Sequence, residues 1–337
     1  RKCSREGNRN ARTAQQRDGP GDNRPVTAAA RIPSRYLNLL ACPDCRGDLG
    51  VQNETLRCCR CQRTFVVEDG IPVLFPKDRP DLEMRRTLEQ WNAEWRRQGL
   101  PPDGDVEGDP NYRSALAHLR AHGPSQAWGV FFEAGCGSGK HSLVVAREKK
   151  IPVVGLDACV EACRLAARLL AREGEDGFFV AGDLRALPFK EGVFGYVYAG
   201  GSLEHFRDTA PAVREAFRVL RRGGRIDATV PVISLATLTY RQAWGNIPEW
   251  PVLRPLAEWI HLGLLKGRHM RFGYEKSFSI RHFKRLFRQA GFQRVAAGIL
   301  DVHMDFTLLP WTWLKRVARA LVRRRTFAAM IWLDADR

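Results

Sequence analysis

A chain of 337 residues that is 44% hydrophobic is long enough for one large domain and one small one, and apolar enough to bury a core. It contains no apolar run of spanning length, which excludes a hydropathy-type transmembrane helix. Its arginine-rich start lacks the apolar stretch of a secretory signal, so a cytoplasmic protein is expected. The formal net charge of +17 sits mostly at the ends: residues 1–35 hold nine bases against three acids, and residues 311–337 hold seven against two.

Residues 1–35 are polar and poor in large apolar side chains, which predicts a disordered basic tail. Such a tail can touch RNA or anionic lipid, or simply keep the chain soluble. Cysteines then cluster. Cys42-Pro43-Asp44-Cys45 is followed after twelve residues by Cys58-Cys59-Arg60-Cys61. Two C-x-x-C knuckles can close a tetrahedral thiolate site, so Cys42, Cys45, Cys58 and Cys61 are the candidate ligands of a structural Zn²⁺, with Cys59 a bystander. Four thiolates leave no open position for water, which argues against catalysis at the metal. Asp69-Gly70 between the apolar runs Thr64–Val67 and Ile71–Phe75 is a tight hairpin signal. The phrases "LACPDCRGDL" and "LRCCRCQRTFVVEDGIPVLFP" resemble the small zinc-ribbon proteins that activate methyltransferases, here fused in cis over residues 36–76. Residues 77–127 read as a linker with N-terminal helices.

From 128 onward the pattern alternates buried strand and helix. Val130-Phe131-Phe132 leads into Glu133-Ala134-Gly135-Cys136-Gly137-Ser138-Gly139-Lys140, a strand entering a glycine-rich turn and then a helix, which brings bare backbone up to a ligand. A dinucleotide fingerprint needs glycine at 140, and Lys140 stands there, so a nicotinamide-dependent oxidoreductase fails on this residue. Pro152–Asp157 and Phe178–Asp183 read as the next two strands, each ending in an acid. A carboxylate at the end of the second strand can accept ribose hydroxyls. Phe194–Ala199 reads as strand four, Ala212–Leu220 as an amphipathic helix with a C-cap at Arg221-Arg222-Gly223-Gly224, and Arg225–Val230 as strand five.

These motifs, in this order, resemble class I S-adenosylmethionine-dependent methyltransferases of the methyltransferase-11 type. The match runs from E-x-G-x-G-x-G at 133–139 to "REAFRVLRRGGRI", where Arg222 replaces the usual proline. The resemblance implies an α/β, Rossmann-like, seven-stranded sheet over residues 128–337, mostly parallel with the last strand antiparallel, plus the N-terminal zinc ribbon. It implies S-adenosylmethionine as cofactor, with Glu133, Gly135, Cys136, Gly137, Gly139, Asp157, Asp183, Leu184 and Gly200 around it. In that family the acid at the place of Asp183 meets the adenine amino group and the next amide a ring nitrogen.

Methyl transfer is an in-line displacement that needs a base when the nucleophile carries a proton, and His205, beyond strand four, is the candidate. Its neighbour Glu204 is placed to orient it or to hold the cofactor. Ala199-Gly200-Gly201-Ser202 lacks the [N/D]-P-P-[Y/F] clamp that amino-group methyltransferases acting on adenine or glutamine carry, so oxygen or carbon is the expected acceptor atom. Residues 232–275 form an insertion rich in aromatics (Tyr240, Trp244, Trp250, Trp259, Phe272, Tyr274), expected as a cap that lines an acceptor pocket. Ser277–Phe283 opens a helix that Gly291 closes, Phe292–Ile299 is strand six and Phe327–Leu333 the last strand. Residues 308–325 read as a basic amphipathic helix. Its apolar face, Leu314, Val317, Ala318 and Leu321, is expected to pack on the sheet edge or the cap, the other reading being peripheral contact with an anionic membrane. The expected activity is methyl transfer to a small, partly apolar or lipid-linked metabolite. A tRNA acceptor and a catalytically silent cofactor-binding module are the alternatives.

Overall fold

The computed structural model describes residues 32–78, 82–100, 106, 110–270, 273–300, 311–322 and 325–337; most of the basic tail, Phe272 and 308–310 lie outside these. After a short helix α1 (Ser34–Leu37), strands β1 (Leu49–Gln52) and β2 (Thr55–Cys58) form a hairpin between the two cysteine knuckles. Strands β3 (Thr64–Glu68) and β4 (Ile71–Leu74) form a second, turning at Asp69 (φ 51°) and Gly70 (φ 84°). Positive φ at both central residues is what a tight hairpin on a right-twisted ladder requires.

Helices α2 (Leu82–Gln98) and α3 (Pro110–His122) precede the alternating unit. That unit runs β5 (Phe131–Ala134), α4 (Lys140–Lys149), β6 (Val153–Asp157), α5 (Val160–Arg172), β7 (Gly177–Gly182), β8 (Phe194–Gly200), α6 (Ala210–Val219) and β9 (Leu220–Pro231). The insertion holds α7 (Leu235–Leu238), β10 (Ile247–Pro248), α8 (Leu253–Glu258) and a π-helical turn Trp259–Leu264, and β11 (Lys276–Ser277) follows it directly. The chain ends with α9 (Ile280–Ala290), β12 (Gln293–Leu300), α10 (Thr312–Val322) and β13 (Met330–Asp336).

The main sheet has the order β1-β2-β3-β4-β7-β6-β5-β8-β9-β13-β12. Strands β5 to β9 pair in parallel, and β13 runs antiparallel between β9 and β12, as the sequence led us to expect. The strand order reverses at β5, so a crevice opens at its carboxyl end. β5 is buried along its whole length, which fits a strand covered on both faces.

The ribbon does not stand apart from this sheet. β4 pairs in parallel with β7 (Val73 opposite Ala181, Leu74 opposite Gly182), making one ladder of eleven strands. Tyr36 stacks on Phe178 at 4.9 Å, and Leu40, Leu56, Phe65 and Leu74 share a core with Val180 and Phe189. α4 and α5 pack on one face of the sheet beside Phe131, Phe179 and Tyr196, while α6 and α9 bring apolar residues to the other. Trp95 of α2 packs on Ala162 and Leu165 of α5.

One local expectation is corrected. Arg221–Gly224 does not cap α6: the helix stops at Val219 and β9 begins at Leu220. Gly223 (φ 69°) and Gly224 instead make a bulge that exchanges backbone hydrogen bonds with Arg337, the last residue, at 2.8 and 2.9 Å. The apolar face of α10 is covered in part only among the described residues. Leu314, Ala318 and Leu321 are only half-buried, and Val317 is exposed with Trp311 and Trp313.

Candidate functional site

A cavity of about 600 Å³ opens at the carboxyl ends of β5, β6, β7 and β8. Gly135, Cys136, Gly137, Asp157, Asp183, Leu184, Gly200 and His205 all line it, so residues spread over seventy positions of sequence meet in one place. The turn after β5 explains its glycines. Gly135 has φ 84°, and a Cβ there would lie 2.5 Å from Cβ of Ser202. Gly137 has φ 48°, and a Cβ there would meet the Trp95 ring at 2.9 Å. Backbone conformation and lack of room both demand glycine.

Gly139 differs from the expectation. It does not line the cavity; a Cβ there would meet Ala166 of α5 at 2.7 Å, so this glycine serves close packing of the turn on a helix. Glu133 lines the cavity, but both its oxygens are taken by the start of α4. Oε1 lies 2.8 Å from His141 Nδ1, and Oε2 accepts from Ser142 N and Oγ at 3.0 and 2.6 Å. Glu133 thereby ties β5 to α4 and fixes the turn between them. Lys140, where a dinucleotide fold needs glycine, sits over the Tyr112 ring at 4.3 Å.

Asp157 accepts from the amides of Gly137 at 3.0 Å and Cys159 at 2.8 Å. Burial raises its pKa, against the pull of these two amides. A carboxylate has about four acceptor sites, so two remain for a ligand's hydroxyls. Asp183 accepts from Arg185 N at 2.8 Å and holds its guanidinium on both oxygens, and Arg185 lies 5.3 Å from the centre of the Phe206 ring.

On the far side of the cavity, His205 is fixed by its Nδ1, 2.8 Å from the backbone carbonyl of Tyr274. A carbonyl only accepts, so in the neutral ring Nδ1 carries the proton and Nε2 the lone pair. Glu204 beside it is buried; burial first, then the charge of Glu275, push its carboxyl up to about 8. Trp91 meets the His205 ring edge-on at 5.8 Å and stacks on Trp95 at 5.5 Å. Arg241, paired with Glu275 at 2.8 Å, and Trp244 enter from the insertion. Of the other expected aromatics, Trp250 and Trp259 face solvent and Tyr274 is buried. The sequence reading missed α2 and α3 as walls of this cavity. The tryptophan spacing at 91 and 95 marks one helix face, but not what it covers.

The cysteine knuckles also meet. Cys42, Cys45, Cys58 and Cys61 are free thiols whose sulfurs lie within 4.8 Å of one another, Cys42 with Cys61 at 3.7 Å and Cys45 with Cys58 at 3.4 Å. Tetrahedral Zn–S bonds of about 2.3 Å put sulfurs roughly 3.8 Å apart, so the set fits zinc. Although burial opposes it, the amides of Cys61 and Arg60 bring the Cys58 thiol down to about 7. A second buried group went unread in the sequence. Asp227 and Asp334 are cross-strand partners on β9 and β13, and His118 Nε2 of α3 lies 3.1 Å from Asp227. Burial would lower His118, but the hydrogen bonds and charges of Asp227 and Asp334 win and raise it to about 9.

Comparison with known proteins agrees with this geometry. Residues 132–226 match the family described as methyltransferase domain, and residues 34–70 the family described as Trm112p-like protein. The demethylmenaquinone methyltransferase of Lactiplantibacillus plantarum is 28% identical over 176 residues, which are 48% of this chain and 68% of that protein. The malonyl-[acyl-carrier protein] O-methyltransferase of Enterobacter lignolyticus is 33% identical over 143 residues, 41% of this chain and 53% of that protein. Among solved structures, the complex of the Haloferax volcanii Trm112 methyltransferase activator with a methyltransferase superposes with a TM-score of 0.50 at 20% identity, covering 74% of this chain and 96% of that one. The geranyl diphosphate C-methyltransferase of Streptomyces coelicolor reaches 0.51 at 16% identity, over 76% and 98%. At these identities the two structures speak for the fold. The chain is an S-adenosylmethionine-dependent methyltransferase: its residues 132–226 match the methyltransferase domain family and its residues 34–70 match the Trm112-like one.

Proposed function

We propose that this methyltransferase acts on an oxygen or carbon of a small, partly apolar or lipid-linked metabolite, with His205 as the base. When bound, S-adenosylmethionine supplies an electrophilic methyl. In this reading the Gly135–Gly137 backbone cradles the cofactor, the free acceptor sites of Asp157 take its ribose hydroxyls, and Asp183 with the Leu184 amide reads the adenine edge. Gly200 lets the cofactor approach the end of β8. The observation that carries the acceptor side is the contact of His205 Nδ1 with the Tyr274 carbonyl. With Nδ1 held by Tyr274, Nε2 is free to take a proton from an acidic O–H or C–H as the methyl arrives.

Trp91 at the His205 ring, with Phe206, Trp244 and Met330 lining the same cavity, favours an acceptor with an apolar, flat portion. Two relatives bear the names demethylmenaquinone methyltransferase and malonyl-[acyl-carrier protein] O-methyltransferase, and the second of these names an oxygen acceptor. Cys42, Cys45, Cys58 and Cys61 would hold a structural zinc that stiffens the ribbon. The Trm112-like segment keeps a second reading in view, with tRNA as acceptor. Radiolabelled methyl transfer to a panel containing a demethylated naphthoquinol, a malonyl thioester and tRNA tests both. Labelled naphthoquinol or thioester, lost in His205→Ala while S-adenosylhomocysteine still binds, is the expected result. Labelling of tRNA alone would overturn the small-acceptor reading.

A further inference from the structure

The cap carries an apolar surface that the cavity does not use. Among the described residues, twelve large hydrophobic side chains are exposed, and half of them fall between 250 and 265: Trp250, Val252, Leu256, Trp259, Leu264 and Leu265. Val252 is 77% exposed, Trp259 63% and Leu264 64%. Val252, Leu256, Trp259 and Leu264 share one side of the run from α8 through the π-helical turn, with Trp250 just before it and Leu265 just after it. Val252 and Leu256 are four apart, Leu256 and Trp259 three apart, which places them together on an α-helix. Beyond Trp259 the helix widens to π geometry, with Leu265 N donating to Ile260 O at 2.9 Å. A turn closing at five residues keeps Leu264 in line with Trp259. The opposite side of the segment is buried through Ala257 and His261.

Charge is sorted in the same way. The acids of this segment turn inward: Glu249 pairs with Arg254 at 2.8 Å and with Lys276, while Glu258 accepts from Arg254 at 3.1 Å, Arg207 at 3.0 Å and the Tyr274 hydroxyl at 2.7 Å. Lys266 and Arg268, just past Leu265, are exposed, and among the described residues neither pairs with an acid. Apolar side chains that include tryptophan, flanked by cations, with Glu249 and Glu258 of the same segment paired inward, complement an anionic lipid interface.

We propose that this outer face of the cap, centred on Leu256, Trp259 and Leu264, docks the protein on an anionic lipid bilayer. The inference deepens the reading of a lipid-linked acceptor and rests on it for its purpose. Arg241 and Trp244 of the same cap line the cavity, and Tyr274 joins Glu258 of α8 to His205, so docking would set the acceptor side beside the membrane. The site differs from α10, whose Trp311 and Trp313 form a separate exposed pair.

The test is co-sedimentation of the full chain with vesicles of phosphatidylglycerol and phosphatidylcholine, against phosphatidylcholine alone, at low and high salt. Wild type should sediment with the anionic vesicles and less so at high salt. The pair Trp259→Ser with Leu264→Ser should weaken this about tenfold or more, and Lys266→Glu with Arg268→Glu should remove its salt dependence. Trp311→Ser with Trp313→Ser should leave it within about threefold. These residues are exposed, so thermal unfolding and S-adenosylhomocysteine binding should stay at wild-type values. Absence of sedimentation, wild-type sedimentation of the Trp259/Leu264 variant, or loss only in the Trp311/Trp313 variant would each overturn the proposal. Turnover of a water-soluble acceptor, measured in parallel, reads the acceptor assignment separately: vesicle binding without turnover sinks that assignment and leaves the docking face standing.

Discussion

Asp157→Ala probes the cofactor assignment most directly. In the free protein the carboxylate accepts from Gly137 N and Cys159 N. Its loss strips α5 of a side-chain acceptor at its start, because Cys159 at the N-cap makes no such bond, and folding should weaken by about 1–2 kcal/mol. The binding term is separate. Hydrogen bonds from two ribose hydroxyls to a charged acceptor contribute roughly 1.5–3 kcal/mol each, an upper sum near 6 kcal/mol. Water entering the vacated space replaces part of this, so a net loss of about 2–3 kcal/mol, roughly 30- to 150-fold in affinity, is expected. Asp157→Asn keeps the volume and one acceptor, and should lose about tenfold. Calorimetric titration with S-adenosylhomocysteine gives the affinity, and thermal unfolding of the ligand-free protein gives the folding term. Because burial raises the Asp157 carboxyl, wild-type affinity should fall on acidification at a higher pH than an ordinary aspartate would dictate, and the Ala variant should lack this dependence. A folding loss of the expected size with less than about a threefold change in affinity would refute the ribose assignment.

Gly135→Ala should abolish S-adenosylhomocysteine binding, because its Cβ overlaps Ser202; Gly174→Ala, with φ 70° and nothing within 4 Å, should cost only about 1 kcal/mol of folding and leave binding intact. Metal analysis should find one zinc per chain, lost in Cys58→Ser and kept in Cys59→Ser; the reverse would show the knuckle assignment to be wrong. His118→Ala leaves Asp227 buried without its cation and should destabilise by about 3–5 kcal/mol in urea unfolding. With His118 raised to about 9 in the folded state, its stabilisation is complete below about 6.5 and is lost as pH rises to 9, so His118→Gln should flatten stability across that window. Glu204, raised to about 8, acts in the same sense from about 4.5 upward, and Glu204→Gln should remove a decline of about 1.4 kcal/mol per pH unit below 8; an unchanged slope would mean that Glu204 is solvated.

Sequence alone settled what short-range chemistry dictates. Left-handed backbone at Gly135 and Gly137, an Asp at each of two successive strand ends, two-residue knuckles at Cys42–Cys45 and Cys58–Cys61, and an Asp-Gly hairpin are all local demands, legible within a few residues. Periodicity likewise located strands and helices, because a buried strand is apolar wherever it pairs. It did not say with what each face pairs. Only the tertiary structure joined β4 to β7, turned Glu133 toward His141 and Ser142, and set Gly139 against α5. It also brought Trp91 and Trp95 over the glycine turn, gathered His118, Asp227 and Asp334, and left the apolar side of α8 facing solvent. Each of these depends on contacts between segments far apart in the chain, where an apolar or charged side chain carries no mark of its partner. The choice of partner follows from how the whole sheet closes.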